Sequence, residues 1–82
     1  MGDDLSERWQ ALIDAIRDEC IANEQDPGVL ESDVGQLKVS LPFSGGERAA
    51  KQFTRRELFE RDPRRLALQF YQAYLKDGHA AT

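Results

Sequence analysis

Seven basic side chains fall within eighteen residues: Arg48, Lys51, Arg55, Arg56, Arg61, Arg64 and Arg65. Guanidinium groups bind carboxylates and phosphates through paired, charge-assisted hydrogen bonds. This segment is therefore where the chain could recognise an anion. Thr54-Arg55-Arg56-Glu57 reads as a capping box opening a short helix. Asp62-Pro63 reads as a second start, with Asp as N-cap and Pro preorganised at the first helical position. Arg55 and Arg56 then occupy one first turn, and Arg64 and Arg65 the next. Cations in a first turn oppose the helix dipole, at about 0.3–1 kcal/mol each. Something negative is expected opposite them.

The chain carries one source of that charge itself. Residues 1–36 hold ten acids and two arginines, a net charge of −8, whereas residues 37–82 hold nine Lys/Arg and five acids, a net charge of +4. Internal pairing of the arginines with an acidic face of the first helix is thus one expectation. An acidic surface on another protein chain, or on a second protomer, is another. Phosphate, from nucleic acid or a small ligand, is the third. It ranks last because the sequence pI is about 4.9, because acidic helix 1 would repel a nucleic-acid backbone, and because no aromatic-rich RNA-binding strand is present. Tyr71 and Tyr74 complete the candidate partner-binding set, since tyrosines often mark contact surfaces. At helical spacing with Phe70 they also suit a core.

Catalytic groups are scarce. The chain has one cysteine, Cys20, and one histidine, His79. A structural zinc site needs about four Cys/His ligands. Any nucleophile–His arrangement would have to use His79, close to the chain's end. Glu24, Asp26, Glu31 and Asp33 cluster in and after the first loop, but their spacing does not fit an EF-hand and Pro27 interrupts them. They read as a solvated acidic loop. Ser44-Gly45-Gly46-Glu47 resembles the signature sequence of ABC-type ATPases, which contacts nucleotide across a dimer. The Walker A phosphate loop that must accompany it is absent, and a hairpin turn accounts for both glycines. No catalytic residue, cofactor or metal is expected.

The elements that would carry these residues are legible from periodicity. Leu5, Trp9, Leu12, Ile13, Ile16 and Cys20, widened by Ile21, form an apolar stripe that predicts a helix over 5–22, capped by Asp4. Asp26-Pro27-Gly28 ends it. Residues 29–36 fit either a short helical turn or a brief strand. Leu37, Val39, Leu41 and Phe43 alternate with Lys38, Ser40 and Pro42 in a half-buried strand, and residues 48–53 read as its return, with Ala49, Lys51 and Phe53 on one side. After Asp62-Pro63, Leu66, Phe70 and Tyr74 line a final helix, widened by Ala67, Tyr71 and Leu75 and ended by Gly78. The expected architecture is α+β: a two-stranded antiparallel hairpin on a long N-terminal helix and a C-terminal helix pair.

Eighty-two residues make one domain, 1–82, with a frayed tail at 79–82. A chain this short is marginal alone, and pairing across a twofold axis would close an open sheet edge, so a homodimer is expected. A single thiol suits a reducing cytoplasm. No run is long enough to span a membrane. Met1-Gly2 through Ser6 fits the loose myristoylation pattern, but the acids beside it and the missing second membrane signal favour a helix cap. The resulting expectation is a non-enzymatic interaction module or small accessory subunit that binds an acidic partner through the arginine-rich segment. A small nucleic-acid-binding regulator using the same arginines is the alternative.

Overall fold

The computed structural model describes residues 4–78, apart from the side chain of Asp4. The Asp4 cap, the N-terminal myristoylation pattern and the fraying of 79–82 lie outside the described residues. The fold is α+β. Helix α1 spans Asp4–Ala22, a 3-10 turn covers Pro27–Val29, strands β1, β2 and β3 span Glu31–Asp33, Lys38–Pro42 and Arg48–Gln52, and helices α2 and α3 span Arg55–Glu60 and Pro63–Asp77.

The sheet has three strands in the order β1-β2-β3, all antiparallel. The hairpin of β2 and β3 is the expected one. Strand β1 is an addition, and residues 27–33 supply both of the structures the sequence left open. β1 is Glu-Ser-Asp with every side chain exposed, so no apolar pattern announces it. It is fixed by pairing Glu31 with Ser40 and Asp33 with Lys38. The turn between β1 and β2 holds Leu37 at φ 53° while keeping its side chain in the core.

Alternation along β2 buries Val39 and Leu41 and leaves Lys38 exposed. The helices cover only this face. Trp9, Leu12, Ile13, Ile16 and Cys20 of α1, Leu58 of α2, and Leu66, Ala67, Phe70, Tyr71 and Tyr74 of α3 close one core with Val39, Leu41 and Phe53. Trp9 and Phe70 each meet Phe53 edge-to-face, at 6.5 and 6.4 Å between centroids. Two expected stripe members differ: Ile21 is 60% exposed and Leu75 is 39% exposed. Both lie where no third layer covers the helices.

Both helix starts form as read. Thr54 caps α2 in a complete capping box with Glu57, and Asp62 caps α3 with Pro63 following. The Ser44–Glu47 segment is a hairpin turn, in which Gly46 takes φ 95° and donates to the Phe43 carbonyl. Gly78 ends α3 in extended backbone, and a Cβ there would meet the Phe43 ring at 2.9 Å. Glycine is needed at that position for close approach.

Candidate functional site

The structure divides the seven basic residues into three groups. Arg48 is a brace. Its guanidinium donates to the Ser40 hydroxyl at 3.1 Å, the Ser40 carbonyl at 3.3 Å and the Val29 carbonyl at 3.0 Å, and it lies 3.7 Å from the Glu31 carboxylate. It ties β3 across β2 to the segment before β1. Lys51 lies with its ammonium 5.1 Å from the centroid of the Phe53 ring. Arg56 pairs with Glu60 one turn ahead at 2.8 Å.

The third group is Arg55, Arg61, Arg64 and Arg65. All four are exposed, and their side chains have no hydrogen bond or ion pair among the described residues. Arg61, Arg64 and Arg65 lie at one corner, where α2 ends and α3 begins, and Arg55 lies at the opposite end of α2. Arg61 and Arg65 line an open hollow of about 500 Å³ with Glu60 and Asp62. Glu7 of α1 lines a shallow hollow with Pro63 at the start of α3, but no acid of α1 forms an ion pair with these arginines among the described residues. Asp14 instead accepts from Gln10 at 2.9 Å and faces Arg17 at 3.8 Å, on α1 itself. Internal neutralisation of the arginines by helix 1 is therefore not found among the described residues.

Both helix starts already hold an anion. The Glu57 carboxylate accepts from the backbone N–H and hydroxyl of Thr54, at 3.1 and 3.3 Å. The Asp62 carboxylate accepts from the Arg64 N–H at 3.1 Å. Each arginine pair thus has a carboxylate beside it that offsets the unfavourable dipole. The backbone donors that would cradle a phosphate are partly taken. What remains on offer is side-chain charge, suited to carboxylates held on another surface.

Tyr71 and Tyr74 do not belong to an exposed surface in this fold. Both are 1% exposed. Tyr71 donates from its hydroxyl to Gln25 Oε1 at 2.7 Å, Gln25 Nε2 donates to the Tyr74 hydroxyl at 2.9 Å, and the Tyr74 hydroxyl donates to the Pro42 carbonyl. Tyr74 also stacks on Phe43 with centroids 5.1 Å apart. Aromatic bodies fill the core while the hydroxyls find internal partners, so neither side chain is available for docking.

Gln25 escaped sequence reasoning because it looks like any loop residue. Glu24 takes φ 60°, which turns the chain so that the Gln25 N–H reaches the Cys20 carbonyl at 2.8 Å and its side chain enters the core. Arg8 was missed as well. It donates to the Leu58 carbonyl at 3.1 Å and covers the Phe59 ring at 4.7 Å, joining α1 to the end of α2. Neither residue carries a local signal, since both act through contacts about fifty residues away.

Cys20 is fully buried and free. Burial pushes its thiol up to about 11, which disfavours a reactive thiolate. Asp26 and Asp33 accept the Gly28 and Gly35 N–H groups, each at 2.9 Å, so the acidic loop uses its carboxylates in its own turns. Among the described residues no group of three His, Cys, Asp or Glu side chains is placed to hold a metal ion. No helix among them is long and apolar enough to cross a membrane. Against this geometry, no protein-family model, curated protein or solved structure matches the chain.

Proposed function

We propose that this chain is a non-enzymatic protein–protein interaction module, an adaptor or small accessory subunit, that docks an acidic partner surface through Arg55, Arg61, Arg64 and Arg65. The observation that carries the reading is that these four guanidinium groups, along α2 and the start of α3, are exposed with no partner of their own among the described residues. Arg48 leaves the docking set because it is spent bracing the sheet. Tyr71 and Tyr74 leave it because they are core. Lys51 and Arg56 are exposed as well and add long-range field. Nucleic acid is less well supported, because both helix starts beside the arginines are filled by Glu57 and Asp62. A buried free thiol suits action in a reducing compartment such as the cytoplasm.

Affinity capture from the native lysate tests this, with nuclease added and with two baits: the natural chain, and a variant carrying Arg55→Glu, Arg61→Glu, Arg64→Glu and Arg65→Glu. The expected outcome is a protein retained by the first bait, absent from the second, and released by added salt. Identical captures on both baits would refute the reading. Capture abolished by nuclease would move the function to nucleic acid.

A further inference from the structure

The two edges of the sheet are not alike. β1 is three residues long, with an acid at each end and every side chain exposed. Such an edge is blunted against further pairing. β3 is five residues long, contains no proline, and is paired on one side only. The Phe43 N–H donates to the Glu47 carbonyl, and the Phe53 N–H to the Leu37 carbonyl. Odd-numbered residues of this strand therefore face β2. By the alternation of an antiparallel ladder, the N–H and C=O groups of Arg48, Ala50 and Gln52 point outward with no strand to receive them among the described residues. The Arg48 side chain is drawn inward over β2 and does not guard the edge.

Beside this edge runs a groove of about 320 Å³ between β3 and α3, floored by Ala49, Phe53, Leu66, Phe70, Ala73 and Tyr74. Three charged residues line it: Glu57, whose carboxylate is taken up in capping Thr54, and two others, Lys51 and Asp77. Lys51 lies at mid-strand, and Asp77 lies at the end of α3, next to Gly78, whose backbone closely approaches Phe43, the residue that pairs with Glu47 just before β3. Both are exposed, and neither has an ion pair among the described residues.

We infer that the occupant of this edge is a second copy of the same chain, paired antiparallel through β3 about a twofold axis at Ala50. In that register Ala50 faces the partner's Ala50, Arg48 faces the partner's Gln52, and Ala49 faces the partner's Lys51. The outward-pointing groups of 48, 50 and 52 meet their equivalents, so every hydrogen bond of the new ladder is made twice by symmetry. No like charges stand opposite each other. Lys51 of each copy crosses to the Ala49 end of the other, where Asp77 stands. A register centred on Lys51 would set two ammonium groups face to face, and one centred on Ala49 would leave Gln52 beyond the paired strand. The product is one six-stranded sheet ended on both sides by blunt β1 strands. This inference goes beyond the docking role of the arginine corner and uses different residues for its key contacts.

Sedimentation equilibrium of the pure protein from about 1 µM to about 1 mM is expected to show mass doubling with concentration. Amide exchange at Arg48, Ala50 and Gln52 is expected to slow over the same range. Asp77→Lys is expected to weaken the dimer by about tenfold or more, because two symmetric pairs turn repulsive. Combining it with Lys51→Asp restores the charge match and is expected to bring affinity back to within about threefold. Ala50→Pro removes an outward N–H that the monomer does not use and is expected to abolish dimerisation, with circular dichroism confirming the monomer's fold. A chain that stays monomeric throughout overturns the inference. So does a dimer indifferent to Ala50→Pro and Asp77→Lys, a charge swap that fails to restore affinity, or an edge that accepts only a foreign peptide. Because mass is read on pure protein, each of these results leaves the arginine-corner reading standing.

Discussion

The two ends of helix α3 obey opposite rules. At its C-terminal half, Tyr71 and Tyr74 are buried, and their hydroxyls close a chain of hydrogen bonds through Gln25 to the Pro42 carbonyl. At its N-terminal end, Arg61, Arg64 and Arg65 face water with no side-chain partner among the described residues. The first end spends its polar groups on holding α1, β2 and α3 in one arrangement. The arginine side chains of the second make no such bonds among the described residues, although Leu66 and Ala67 between them and the tyrosines are core. Internally bonded polar groups and unpartnered charge are thus separated along one helix of fifteen residues, and substitutions at the two ends should differ in kind.

The largest effect is expected at the buried end. Tyr74→Ala removes a core aromatic, its stack on Phe43 and its hydrogen bonds. By analogy with aromatic-to-alanine substitutions in cores, it should cost about 3–5 kcal/mol in urea denaturation. Gln25→Ala removes no hydrophobic mass but deprives the Tyr71 hydroxyl of its acceptor and the Tyr74 hydroxyl of a donor. A cost of about 1–3 kcal/mol is expected. A Gln25→Ala protein as stable as the natural one would show that water replaces the glutamine, and that this end is less closed than its geometry implies.

An intermediate effect is expected from pH. Burial pushes the Cys20 thiol from 9.0 up to about 11 and the Tyr71 hydroxyl from 10.0 up to about 12. In both groups the fold favours the neutral, protonated form. Above pH 9 the folded state consequently holds more protons than the unfolded one, and stability falls as pH rises. The contribution of these groups is whole below pH 9 and is lost between pH 9 and 12, Cys20 first and Tyr71 after it. Urea midpoints at about pH 8 and about pH 10.5 should record the decline. Tyr71→Phe should remove the upper part of it while leaving the part due to Cys20. A midpoint that does not move over this range would mean that neither group is held neutral by the core.

The sequence revealed those parts of this contrast that are local. The α1 stripe apart from Ile21, the alternation of β2, the capping box at Thr54 and the Asp62-Pro63 start are each written in a few neighbouring residues, and each forms as read. Strand β1 was legible only as one of two options for residues 29–36, because Glu31-Ser32-Asp33 has no apolar side chain to bury. Its conformation comes from the ladder with β2 and from Arg48 reaching across to Val29 and Glu31. Gln25 and Arg8 were hidden for the same reason, since their partners are forty-six to fifty residues away. In the candidate site, the crowding of arginines at two helix starts was plain. Which of them would be consumed internally was not, because that depends on where β1, Glu60 and the outer face of β2 come to lie. Tyr71 and Tyr74 fitted either a core or an interface by spacing alone, and only the position of Gln25 shows how their hydroxyls are buried at no loss.

The smallest effect is expected at the exposed corner, where Arg48 serves as the internal control. Arg61→Ala, Arg64→Ala and Arg65→Ala break no hydrogen bond among the described residues, so each should shift stability by no more than about 0.5 kcal/mol. Arg48→Ala leaves the Val29 and Ser40 carbonyls without their guanidinium donor and should cost about 1 kcal/mol. Removing positive charge at the α3 start should even favour that helix slightly, since a cation there opposes the dipole. The ordering matters more than the sizes. If the corner arginines destabilised the protein as much as Arg48, they would have structural partners after all, and their charge would not be free for another surface. If Arg61→Ala and Arg65→Ala stabilise it while the natural chain keeps arginine, the side chains are held there against the fold's own preference, as a recognition surface requires.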